Sequence, residues 1–425
     1  MKSKISFKAM ISVGLALILL APEALRGQES PLKYEIDRVA NVDYSHGQLP
    51  SVMGVHNIQV MRANREHPEW AEGFGWTYNH APMIAFWNER FYVSYLSDPV
   101  GEHMAHGQTY LQRSSDGYHW SFPEVLFPIY RIPDGTTKEG KDGVAKDLDA
   151  VMHQRMGFYV SKNSGRLFAI GFYGICLDKY DKPNDGQGIG RVVREIKEDG
   201  SFGEIFFIRY NHGWNAKNTS FRFYKKSRDK GLVEACEAML SDPLVTFQWV
   251  EEADRDDPVN PQFEGKAKAF CYYTLPDDRI IGMFKSRRTG LSLDGGKTWS
   301  IVETPGLITG SAKMWGERTS DGRYAQVFNP ASNRWPMAIS ISQDGLLYDN
   351  LFLLHGDVTP MRYAGHYRSD GPQYLRGILP GNGVVPDGNM WLSYSVNKED
   401  IWVSRVTVPV LTEASASINE DLSGY

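Results

Sequence analysis

Three copies of one short turn restrict this chain to sheet architectures. Ser292–Trp299 reads SLDGGKTW and fills the pattern Ser-x-Asp-x-Gly-x-Thr-Trp at every position. Ser114–Trp120 (SSDGYHW) is one residue shorter, and Ser342–Tyr348 (SQDGLLY) ends on Tyr instead of Trp. In such a turn the Asp side chain accepts from backbone amides, the Gly takes a positive φ, and the aromatic packs between strands. A lone Asp-Gly is an ordinary hairpin signal; three in equivalent settings are a repeat. A second repeat interleaves with the first: NERFYVSYL from Asn88, SGRLFAIGF from Ser164, DDRIIGMF from Asp277, DGRYAQVF from Asp321 and DGNMWLSYS from Asp387. Each is a polar turn followed by a strand rich in apolar and aromatic residues. Where both repeats occur, the Asp turn comes second. The order within a unit is therefore strand, turn, strand, longer loop, strand, Asp turn, strand.

Together these turns resemble the Asp-box (BNR) repeats of sialidase-like β-propellers. The expected fold is all-β, a β-propeller. In the first unit the strands are APMIAFW, FYVSYL, QTYLQR and a fourth ending near Phe127. Comparable units start near His153, Lys266, Ala312 and Gly371, and residues 215–250 are read as holding another. The segment 33–62 either adds a partial blade or closes the ring with the C-terminal strands. The expected count is a seven-bladed propeller, with a six-bladed one as the alternative.

No Pro-, Ser- or Gly-rich linker divides the chain, so residues 28–411 are expected to form a single domain. Lys2, Lys4 and Lys8 precede an apolar run from Ala9 to Ala21. That run is too short to span a bilayer and reads as a signal peptide over residues 1–27. Export to the periplasm or the exterior follows, with no membrane span in the mature chain. Residues 412–425 are expected to be a flexible tail. Three cysteines, Cys176, Cys236 and Cys271, exclude a disulfide scaffold and read as buried apolar thiols. A net charge of −5 argues against nucleic-acid binding. A monomer is expected. No metal-ligand spacing stands out; a divalent cation, structural or carboxylate-neutralising, stays open.

In a four-stranded antiparallel blade, successive turns alternate faces. Asp turns and polar turns share one face. Loops joining the second strand to the third, and one blade to the next, share the other. Those longer loops are where binding residues tend to lie, and here they carry Asn79, His80, His103, His106, His153, Tyr210, His212, Arg287, Arg288, Arg334, Arg362 and His366. An acidic chain that gathers Arg and His on one face is expected to take an anionic ligand, most naturally a carboxylate held by arginine. Trp76, Trp214, Trp315 and Trp335 offer either stacking surfaces or core packing.

Tyr130–Pro133 reads YRIP, like the Arg-Ile-Pro segment that supplies one carboxylate-binding arginine in sialidases. In sialidases it precedes the first Asp-box; here it follows one, and a Pro-bearing turn explains it without function. Met53–Met83, Pro360–Ile378 and Trp391–Val406 resemble a group of secreted Bacteroidetes propellers acting on L-rhamnosyl-α-1,4-D-glucuronate. The resemblance implies an anionic oligo- or polysaccharide substrate and two competing reactions. In β-elimination, a His or Tyr removes the proton α to the carboxylate and another protonates the leaving oxygen. The pool for these roles is His80, His153, Tyr210 and His212. Asn79, His106, Arg287, Arg288, Arg334, Arg362 and His366 would bind substrate. The alternative is an α-L-rhamnosidase whose single histidine, His46 or His56, works on the opposite face. An exo-sialidase and a non-catalytic glycan-binding propeller complete the set.

Overall fold

The computed structural model describes residues 29–68, 75–151, 157–183, 185–249, 267–357 and 359–412. Strands β1 (Lys33–Tyr34) and β2 (His56–Met61) lead into blade I, formed by β3 (Tyr78–Trp87), β4 (Arg90–Asp98), β5 (Gln108–Ser114) and β6 (Glu124–Phe127). Blade II is β7 (Gly157–Val160), β8 (Leu167–Tyr173), β9 (Gly190–Ile196) and β10 (Phe202–Tyr210), edged by β11 (Arg222–Phe223). Two helices follow, α1 (Lys230–Ser241) and α2 (Pro243–Phe247). Blade III is β12 (Cys271–Thr274), β13 (Ile280–Phe284), β14 (Arg288–Ser292) and β15 (Ser300–Glu303). Blade IV is β16 (Trp315–Arg318), β17 (Tyr324–Phe328) and β18 (Met337–Ser342), then β19 (Leu347–Tyr348), which pairs with β1, and β20 (Phe352–His355) as its outer strand. Blade V is β21 (Pro372–Gly377), β22 (Met390–Val396) and β23 (Asp400–Val406), completed by β2 from the N-terminal side.

The propeller therefore has five blades, not the expected seven or six. The five polar turns at Asn88, Ser164, Asp277, Asp321 and Asp387 each join the first and second strands of one blade, so their number is the blade number. Two segments inflated the count. Residues 33–62 close the ring, with His56 opposite Arg405 and Ile58 opposite Val403. Residues 215–250 are largely helical. In α1, Leu232, Ala235, Cys236 and Met239 recur at helical spacing and bury against Phe168, Ile170 and Phe206 of blade II. Asp229 caps α1 by accepting from the Leu232 amide at 3.1 Å, and Asp242 caps α2 ahead of Pro243.

All three Asp turns join third to fourth strands, so they share one face. Asp294 accepts from the amides of Lys297 and Thr298 at 3.0 and 2.9 Å, and Trp299 packs on Phe270 with ring centroids 5.1 Å apart. The three cysteines are buried and unpaired as disulfides. Among the described residues, no helix is long and apolar enough to cross a membrane. The expected signal segment lies outside the described residues, as does the tail beyond residue 412. Thr412 itself is buried and bridges to Val52.

Candidate functional site

Two inner strands are bulged at the same level of the channel. In β3 the register slips between His80 and Met83, and Ala81 has φ 49°. In β21 it slips between Gln373 and Arg376, and Tyr374 has φ 62°. A bulge re-aims the side chains beside it. Here the His80 and Tyr374 rings meet with centroids 3.9 Å apart. His80 Nδ1 pairs with the Ser395 hydroxyl at 2.7 Å, and Nε2 has no hydrogen-bond partner among the described residues. Asn79, one residue earlier, points the other way. Its amide donates to the carbonyls of Trp76 and Glu399 at 3.1 and 2.8 Å and accepts from Ser97 at 2.7 Å. Its polar atoms are thus used to tie blade I to blade V.

Cations gather around the ring pair. The Lys285 ammonium lies 3.4 Å from the Tyr374 hydroxyl, and that of Lys313 lies 3.9 Å from the Tyr374 ring centroid. Arg334 donates to Gln373 and, at 3.2 Å, to Ser369. Lys398, on the turn after β22, bonds Glu102 at 2.7 Å and the Tyr367 carbonyl at 2.6 Å. Burial, and then Lys398, Lys313, Arg334 and Lys285, hold the His80 imidazole well below its ordinary pKa. His80 is therefore neutral at pH 7 and can donate or accept a proton without first losing a charge. Burial pushes the Glu102 carboxyl up, but Lys398 more than reverses this, so Glu102 is ionised. Asp98 behaves oppositely. It is fully buried at the end of β4, neither carboxyl oxygen has a hydrogen-bond partner among the described residues, and burial together with Glu102 raises its pKa well above its ordinary value.

The other expected site residues divide by location. Arg362 is engaged with Asp400 and, at 3.3 Å, with Glu399. Arg368 also reaches Glu399, at 3.6 Å. Arg287 is exposed and paired with Glu303 at 2.8 Å, and Arg288, half-buried, begins β14. His106 stands 3.5 Å from Asp149 and 5.3 Å from the Trp76 ring. His366 packs on Tyr367 at 3.9 Å, near His103 and Tyr180, each at 6.2 Å. Tyr210 ends the outer strand β10, bonds Thr219 at 3.2 Å and stacks on Phe223, and His212 lies on the exposed turn beyond it. The expected acid–base pool is thus not gathered: His80 is in the channel, whereas Tyr210 and His212 lie on the rim of blade II. His153 falls outside the described residues. His56 does sit on the Asp-turn face, 2.6 Å from the Tyr118 hydroxyl. His46 does not: its segment packs beside Pro336 and Gly356, in loops of the opposite face. Arg131 of YRIP pairs with Asp147 and, at 2.9 Å, with Asp149.

Sequence reasoning missed Lys285, Lys313, Lys398, Tyr374 and Asp98. All sit at or beside strand ends on the long-loop face, where Arg and His were sought. The lysines beside them carried the same signal. Among the described residues, no group of three or more His, Cys, Asp or Glu side chains is gathered as for a metal ion.

Fold and site define a five-bladed Asp-box propeller with a cationic channel mouth. The chain belongs to the family described as the BT_1020-like N-terminal β-propeller, which matches residues 30–266. A solved structure described as a sialidase is 58% identical, with a TM-score of 0.87 over 90% of this chain, and this chain spans 35% of that one. More distant are a sialidase from Trypanosoma rangeli (10% identity, TM-score 0.48, 86% of this chain and 61% of that one) and a Dyadobacter fermentans protein of unknown function (12%, 0.46, 83% and 99%). No curated protein matches the chain.

Proposed function

We propose that this chain is the propeller of an exported carbohydrate-active enzyme that acts on a terminal acidic sugar of the sialic acid kind. One observation carries the reading: the Lys285 ammonium lies 3.4 Å from the Tyr374 hydroxyl and the Lys313 ammonium 3.9 Å from its ring centroid, beside His80. Such a site favours an anion, and a sugar carboxylate is the anion for which lysine and arginine donors are suited. The similar structure described as a sialidase supports an exo-acting glycosidase over rhamnose–glucuronate elimination. The separation of Tyr210 and His212 from His80 also weighs against elimination by that pool.

Within this reading, Lys285, Lys313 and Arg334 bind the carboxylate. The Tyr374 hydroxyl, 3.4 Å from the Lys285 ammonium, faces the anomeric carbon as the nucleophile. Burial, and then Glu102, favour the protonated form of the Asp98 carboxyl, which is the carboxylic acid assigned to protonate the leaving oxygen. His80 stays neutral and braces Tyr374.

A second reading, glycan binding without cleavage, is favoured by the commitment of two carboxylates. Glu399 is held by Arg362 and Arg368, and Glu102 by Lys398. The deciding experiment incubates the protein with glycans ending in sialic acid or other acidic sugars and measures the released sugar by anion-exchange chromatography. Release that disappears when the carboxyl is reduced supports the exo-glycosidase. Carboxyl-dependent binding without release supports the second reading. Neither release nor binding removes both.

A further inference from the structure

A second depression lies on the same face, away from the channel. It is a cleft of about 790 Å³ over blade II, between the loops that carry Thr137 and Glu139, Gln187, and His212 to Asn218. That volume falls within the roughly 300–1,000 Å³ of small-ligand sites. Its chemistry differs from that of the channel mouth: among the described residues, no lysine or arginine lines it. Trp214 lies on its wall and packs against the hydrophobic core from behind.

The walls are held in place before any ligand arrives. Asn218 donates to the Gly213 carbonyl at 2.9 Å and accepts from the Asn215 amide at 2.8 Å. On the other side, Gln187 donates to the Glu139 carbonyl at 3.2 Å. Beneath them the fully buried Lys138 bonds Asp181 and Asp185, both at 2.9 Å, and the Ile175 carbonyl. That ion cluster locks the loop after β6 to the loop after β8. By contrast, the His212 ring and the Glu139 carboxylate are taken by no hydrogen bond or ion pair among the described residues. An aromatic wall beside uncommitted polar groups on pre-set loops suits a neutral sugar ring, whose C–H face stacks while its hydroxyls are bonded.

The loop after β8 also reaches the channel mouth. It carries Tyr180, 69% exposed, whose ring lies 6.2 Å from His366. His366 in turn approaches His103, the neighbour of Glu102. The loop that supplies Gln187 to the cleft thus also brings an exposed aromatic to His366.

We propose that the Trp214 cleft is a subsite for a neutral sugar ring of the same glycan whose acidic sugar enters the channel mouth. This rests on the acidic-sugar reading, but a different set of residues tests it. The experiment titrates full-length protein with a panel of neutral plant and animal oligosaccharides and follows tryptophan indole resonances by NMR. The expected result is that at least one neutral oligosaccharide shifts the Trp214 signal, assigned by its loss in Trp214→Ala. Its dissociation constant, measured by isothermal titration calorimetry, should rise at least 10-fold in Trp214→Ala and in Glu139→Gln/His212→Ala, and should not change in Lys285→Met/Lys313→Met. A panel in which nothing binds, or binding that survives Trp214→Ala, overturns the subsite. Failure of the acidic-sugar reading would appear separately, as acidic-glycan binding indifferent to Lys285→Met/Lys313→Met.

Discussion

Replacing Lys313 with Met removes one charge from the channel mouth and keeps most of the side chain's length. Lys313 is 1% exposed, and its ammonium sits 3.9 Å from the Tyr374 ring centroid. Two effects on stability oppose each other. A desolvated cation–π contact worth about 2 kcal/mol is lost, while the cost of burying an ammonium, several kcal/mol before compensation, is relieved. The melting temperature should therefore hold or rise. Function should not hold. A hydrogen bond to a charged group contributes about 1.5–3 kcal/mol, so losing one to the substrate carboxylate lowers kcat/KM by roughly 10- to 150-fold. If the site binds without cleaving, the dissociation constant rises by the same factor. A third consequence is spectroscopic. Lys313 is among the cations that depress the His80 pKa, so the NMR titration of His80 should move upward in the variant. Lys313→Arg should restore most of the activity. A well-folded Lys313→Met with unchanged kinetics and an unmoved His80 titration would refute the assignment of the cation cluster.

Other consequences of the fold can be checked directly. Burial lowers the His355 pKa to about 4, against about 6.5 unfolded. The unfolded chain therefore binds more protons, and stability should fall by roughly 3 kcal/mol as pH drops from 6.5 through 4. His355→Phe should remove that slope in denaturant titrations. Comparing wild type with the variant isolates it from Glu317, which burial raises to about 7 and which slopes the other way. Gly117 has φ 78°, and a Cβ there would meet Trp391 Cη2 at 2.2 Å. Gly117→Ala should cost at least about 2 kcal/mol by chemical denaturation, through overpacking and strain at the Asp turn. Lys138→Ala leaves the fully buried Asp181 with only the half-exposed Lys141 ammonium at 3.3 Å as a counter-charge and should cost about 3 kcal/mol; Lys138→Met/Asp181→Leu should recover most of it.

The repeats made the blade architecture legible, because Asp turns and polar turns must fall at fixed places in a meander. The five polar turns even held the blade number. The overcount arose where residues 215–250 were read as holding a further blade although Leu232, Ala235, Cys236 and Met239 already showed helical spacing. The cationic character of the long-loop face was legible in its Arg and His. Its focus was not, because it depends on which strands are innermost and on two bulges that turn His80 and Tyr374 toward each other. Arg362 looked like a substrate ligand in sequence, but Glu399 and Asp400 are brought to it by the turn into β23. Nor could the letters show that Tyr210 and His80 lie on the outer and inner strands of different blades.

The most direct test of the central claim is a crystal structure of the protein soaked with a glycan ending in sialic acid or another acidic sugar that it binds. The account predicts the sugar carboxylate within about 3.2 Å of Lys285, Lys313 or Arg334, with the sugar ring beside Tyr374. An acidic sugar ordered elsewhere, whether on the Asp-turn face or with its carboxylate in the Trp214 cleft, would contradict it.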